Sequence, residues 1–147
     1  MWRGAFIALA LVLTFSLAGV LTFSLAGCAY KMSLSDHAKA DRITSTMKDI
    51  GTQIKNGTIS HGEFKPMFTK LKDDIDTFKD TDSAPKMETF VVAVEAAYAS
   101  YDDMNTRWEA DISSGNTIDW NAIDSYNTTA EGHLAIAVTE QEKYTNK

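Results

Sequence analysis

The apolar residues of this chain recur every three or four positions, the period of an α-helix, and no segment shows the two-residue alternation of a half-buried strand. Phe64, Met67, Phe68, Leu71, Ile75 and Phe78 form the cleanest stripe. Burying each such side chain contributes roughly 1.5–3 kcal/mol, so a helix carrying them supplies much of the core. Ser60 stands three residues before Glu63, the spacing at which each side chain satisfies the other's free backbone N–H in a capping box. Pro66 conflicts with that start. It lacks the N–H that would bond the Gly62 carbonyl, so the helix is expected to begin late or to bend there.

Three further segments keep the same period. Ile43, Met47, Ile50 and Ile54 predict a first helix from about Asp36 to Lys55, with Ser35 as its N-cap and Gly57 as its stop. After a polar connection over Asp80–Pro85, a longer third helix is expected from Lys86, since Pro costs least near a helix start. Its apolar face would hold Met87, Phe90, Val91, Val94, Ala97, Tyr98, Tyr101, Trp108 and Ile112, and Ala93, Ala96 and Ala99 would let a neighbour approach closely. Gly115 ends it. Asp119 can cap a fourth helix carrying Trp120, Ile123, Tyr126, Ala130, Leu134, Ala137 and Val138. Short connections favour antiparallel neighbours, so residues 36–147 are expected to form an all-α, up-and-down four-helix bundle. Asn56–Ser60 and Gly115–Asp119 both place Thr-Ile before a cap, which suggests two αα-hairpins of similar design meeting at one tip.

Ahead of this body lies a segment of different character. Arg3 precedes an uncharged stretch from Gly4 to Ala26, and small residues precede the only cysteine, the layout of a secretory signal. Leu25-Ala26-Gly27-Cys28 resembles the lipobox of bacterial lipoproteins at all four positions. The resemblance covers residues 1–28. It implies diacylglyceryl transfer to the Cys28 thiol, with acyl chains of the palmitate class, cleavage after Gly27, and a mature chain beginning at Cys28. Residues 1–27 would then be a signal peptide and 28–35 a lipidated tether. A retained membrane helix also fits the hydropathy, because the uncharged run lies within the roughly 17–25 residues that span a bilayer. Against it stands a tandem duplication: Leu13–Val20 repeats as Leu21–Cys28 with only the last residue changed. Removing one copy leaves an ordinary short signal, and only the second copy ends in a thiol. Both readings place the body outside the cytoplasm, with Arg3 retained inside. In a host with two membranes, Ala29 after the cysteine resembles the outer-membrane sorting pattern, with the body facing the periplasm.

Residues 28–147 suffice for one domain to bury its own core, and with a single cysteine no disulfide can form within the chain. Without Arg3 the chain carries 13 Lys and Arg against 20 Asp and Glu. Like-charge repulsion therefore disfavours nucleic acid and anionic lipid as partners. Gly57 and Glu63 reproduce half of a calcium loop, but Ile54 falls where a ligand oxygen is required. No zinc motif, haem-attachment motif or nucleophile motif occurs, and no metal or other cofactor and no enzymatic activity is expected. The expected function is a lipid-anchored, extracytoplasmic helical binding or structural module of the cell envelope, with an envelope protein meeting a tip formed by Asn56, Thr58, Trp108, Asn116, Thr117 and Trp120. The alternative is a ligand-binding or redox bundle holding haem, a metal or an apolar molecule. Met47 and His133, at similar height on helices one and four, would resemble the axial pair of four-helix b-type cytochromes.

Overall fold

A computed structural model describes residues 30–145. The expected signal segment, its cleavage motif and Cys28 lie outside the described residues. The chain forms α1 (Leu34–Lys55), α2 (His61–Lys79), α3 (Glu88–Ser113) and α4 (Trp120–Thr145), with a 3-10 turn at Ala84–Lys86 and no strand among the described residues. Both α1 and α3 pack against α2 and α4, so the four helices close into a bundle. Asp41 and Thr44 meet Gln141, whereas Gly51, further along α1, meets Asn127, earlier on α4. Phe64 lies on Trp108 and Phe78 on Phe90, so α2 and α3 also run in opposite directions.

The seams are close to a heptad repeat. Phe90, Val94, Ala97, Tyr101, Met104, Trp108 and Asp111 are buried on α3 at alternating spacings of four and three. Ile123, Asn127, Ala130, Leu134, Ala137 and Gln141 do the same on α4. Small residues at several of these positions let α3 and α4 pack along much of their length. Of the three alanines expected to permit this approach, only Ala93 is buried; Ala97 and Ser100 take the places of Ala96 and Ala99. Asn127 donates to the Gly51 carbonyl at 3.2 Å, and its Oδ1, 1% exposed as a residue, has no hydrogen-bond partner among the described residues. A Cβ at Gly51 would stand 3.2 Å from that oxygen, so the absent side chain lets α1 approach α4 here.

Several boundaries differ from the sequence expectation, each for a local reason. The N-cap of α1 is Ser33, whose Oγ accepts the Asp36 N–H, and the helix begins at Leu34, two residues ahead of Asp36. Two residues ahead of it contact the body. Met32 is buried, and the Tyr30 hydroxyl bonds Ser83 Oγ at 2.6 Å. The capping box at Ser60 and Glu63 forms, and α2 runs from His61 through Pro66 without interruption. The Gly62 carbonyl, deprived of its usual donor, belongs to an exposed residue with open space around it, so water can satisfy it. Pro85 directs the chain into the 3-10 turn, and α3 starts at Glu88, after a buried Met87, instead of at Lys86. Val138, expected on the apolar face of α4, is exposed.

Two substitutions test this arrangement with opposite signs. Phe78→Ala removes a fully buried ring and should cost about 3–5 kcal/mol in urea denaturation. Gly132→Ala, on an exposed face of α4 with nothing near its Cβ position, should gain about 0.5–1 kcal/mol.

Candidate functional site

The two Thr-Ile turns share one construction. Each helix ends with a glycine in the left-handed region, Gly57 at φ +62° and Gly115 at φ +66°, where a Cβ would be strained. In the first, Gly57 N–H donates to Ile54 and Thr58 N–H to Gln53; in the second, Gly115 donates to Ile112 and Asn116 to Asp111. Both are Schellman motifs, which satisfy the last carbonyls of α1 and α3. A cap then opens the next helix: Ser60 for α2, and for α4 Asp119, whose Oδ1 accepts the Ala122 N–H at 3.1 Å. At Ser60 the backbone N–H is taken by Glu63. At Asp119, where residue 122 is alanine, Asp111 Oδ2 takes it at 3.0 Å.

Asp111 is therefore the post of the second turn. Arg107 Nε donates to it at 3.3 Å, and Arg107 Nη2 donates to Asp119 at 3.1 Å. The Asp119 N–H above all, and Arg107 after it, hold the Asp111 carboxyl below the ordinary carboxylate range against the opposing effect of desolvation. Ile112, expected on the apolar face of α3, is exposed. The seam of four and three, continued past Trp108, points to Asp111 instead.

The same end carries a row of aromatic rings. Tyr98 stacks on Phe68 with centroids 4.5 Å apart, Phe68 on Phe64 at 5.3 Å, and Phe64 meets Trp108 at 5.9 Å. Trp108 in turn meets Trp120 edge-on at 5.5 Å, and His61 tilts against it at 5.3 Å. His61 Nε2 lies 3.0 Å from Asn105 Oδ1. Of the two tryptophans expected at the tip, Trp108 is 3% exposed and belongs to the core. Trp120 is 46% exposed and ends the row at the surface. Asn56, Thr58, Asn116 and Thr117 are exposed on the turns, so five of the six expected tip residues reach solvent and Trp108 serves as the support beneath Trp120.

The remaining candidates lie apart from this end. Met47 is fully enclosed, and its carbonyl accepts the hydroxyl of the equally enclosed Tyr101 at 3.1 Å. Burial and the nearby Glu131 charge hold the Tyr101 phenol well above its ordinary range, so it stays a protonated donor. His133 is half-buried on α4. Among the described residues no group of three or more His, Cys, Asp or Glu is placed to hold a metal ion, and no helix is long and apolar enough to cross a membrane. No protein-family model, curated protein or solved structure matches the chain.

Trp108→Ala should cost about 3–5 kcal/mol and Trp120→Ala less than about 1 kcal/mol, measured by urea denaturation; equal losses would contradict the division between support and surface. The Asp111 contribution should be complete above the unfolded carboxylate value of about 3.9 and fade as pH falls through its lowered native value. Asp111→Asn should therefore lower Tm near neutral pH, with the gap to wild type closing in acid. A gap that does not narrow as pH falls below about 3.9 would contradict the assignment.

Proposed function

We propose that the chain is a lipid-anchored, extracytoplasmic binding or structural module of a bacterial cell envelope, held to the membrane by diacylglyceryl on Cys28 and presenting its turn end to an envelope protein. Cleavage after Gly27 leaves Cys28 as the first residue, six residues ahead of the start of α1 at Leu34. Two acyl chains give stable attachment where one would be marginal, because each buried CH₂ contributes about 0.8 kcal/mol. In a host with two membranes, the body would face the periplasm from the outer membrane.

The observation that carries the partner-binding part is the position of Trp120. It is a large half-exposed aromatic braced on a buried one, at the end of α4 opposite Tyr144, and Tyr144 stands beside the Tyr30 ring near the anchored end. At 1.5 Å per residue the two ends of α4 are roughly 35 Å apart. Tryptophans of this kind are enriched at the centres of protein interfaces, where a rigid ring gives contact area at little entropic cost. The exposed amide and hydroxyl groups of Asn56, Thr58, Asn116 and Thr117 supply hydrogen-bonding capacity around it. The module is read as non-catalytic. The alternative of haem, a metal or an apolar molecule between the helices has no specific observation in its favour.

A photoreactive phenylalanine in place of Trp120, in the acylated protein in its native envelope, should give a crosslinked adduct of one defined mass. The same probe at Val92, an exposed position near the other end of α3, should give none. Equal adducts at both positions, or none at 120, would remove the turn end as the partner surface.

A further inference from the structure

Tyr30 and Met32, in the stretch between the expected lipid attachment and the bundle, are docked on the body. Tyr30 is only two residues beyond Cys28, and two residues span at most about 7 Å. The Tyr30 hydroxyl donates to Ser83 Oγ, which is buried and donates in turn to Asp36 Oδ2 at 2.5 Å. The Tyr30 ring meets Tyr144 at 6.2 Å and lies under the Lys86 ammonium at 4.1 Å, while Met32 is buried in the core. An anchor at Cys28 would leave the base of the bundle no slack with which to stand off from the bilayer.

Two features of that base have no partner within the described residues. Leu34, the first residue of α1, is 91% exposed, the most exposed large apolar side chain described. An open cleft of about 560 Å³, lined by the neighbouring Ser33 among others, runs between the docked segment and the α2–α3 connection. Lys31 and Lys86 line it with Asp80 and Asp82, and none of the four forms an ion pair within the described residues, whereas Asp36 and Lys39, also on its wall, pair with each other. A cleft offering two ammonium groups and two carboxylates without ion-pair partners, the Lys86 ammonium resting on the Tyr30 ring, suits a ligand carrying both charges close together and repels neither end of it.

We infer that the base of the bundle is a second membrane contact, in which Leu34 enters the interfacial layer of a zwitterionic phospholipid bilayer and the cleft between Lys31, Lys86, Asp80 and Asp82 receives a headgroup. This rests on acylation of Cys28. The headgroup region is roughly 5–8 Å deep on each side of a bilayer, comparable with the reach of the two residues that join Cys28 to Tyr30. The lysines meet the phosphate and the aspartates the ammonium of an ethanolamine-type lipid. The bundle is thereby held upright, with α4 directing Trp120 away from the surface, instead of swinging on a loose leash.

The test uses the full chain acylated in its host and reconstituted in phosphatidylethanolamine–phosphatidylcholine vesicles containing a headgroup spin-labelled lipid. With Cys28 acylated, Leu34→Cys and Asn116→Cys each offer a single free thiol for a nitrobenzoxadiazole label. Quenching at position 34 should exceed that at 116 at least threefold, and the pair Asp82→Asn and Lys86→Gln should reduce it by half or more. Incorporation of an alkyne-tagged fatty acid, read on the same samples, separates the two ways of failing. Without the tag, the anchor reading fails and this inference with it. With the tag present, equal quenching at 34 and 116 overturns the base contact alone, and quenching unaffected by the paired substitutions overturns the headgroup assignment.

Discussion

The register between α1 and α4 depends on two buried amides standing where a heptad would place apolar knobs. Asn127 donates to the Gly51 carbonyl, and Gln141 both donates to Asp41 and accepts from Thr44. An apolar seam tolerates sliding by a turn, because one methyl group replaces another at little cost. A buried amide does not, since a shift would take the partners of the Asn127 amide N–H and of both polar atoms of Gln141 away. These contacts hold α4 in one axial position, and the two ends of the molecule follow from it. At one end Tyr144 reaches Tyr30 and the Lys86 carbonyl; at the other Trp120 lies on Trp108.

What the sequence disclosed was local. The stripe of α2, the capping box of Ser60 and Glu63, and the glycine stops at Gly57 and Gly115 are decided by residues within one turn of each other, and these expectations agree with the structure. Ser33 and Ser35 both precede Asp36 and either suits a cap. The choice of Ser33 comes with the docking of Tyr30 and Met32, a long-range contact that no local spacing announces. Ile112 is apolar and invites an inward placement, yet the alternation of four and three through Tyr101, Met104 and Trp108 leads to Asp111, whose carboxylate accepts the Asp119 N–H of the second turn. Trp108 and Trp120 are alike by composition, and only the seam position of Trp108 separates core from surface.

The polarity of the molecule follows from where its unpartnered groups are left. Most large apolar side chains are in the interior, and the ion pairs on the flanks join neighbouring turns, such as Lys72 with Asp76, or neighbouring helices, such as Lys65 with Glu109. Exposed pairs of this kind contribute little to stability and keep the sides solvated. Val92, Ile136 and Val138 are exposed singly along the flanks, whereas at the ends Trp120 is braced on a buried ring and Leu34 accompanies the mixed-charge cleft. A module fixed at its base and recognised at its tip has such a division, and the proposed lipid on Cys28 determines which end is which.

That lipid is the premise on which the orientation rests, and the intact mass of the protein isolated from its native host tests it most directly. The proposed anchor predicts loss of Met1 through Gly27 and a chain beginning with Cys28 that carries the added mass of a diacylglyceryl group. A chain that retains Met1 with an unmodified Cys28 would contradict it.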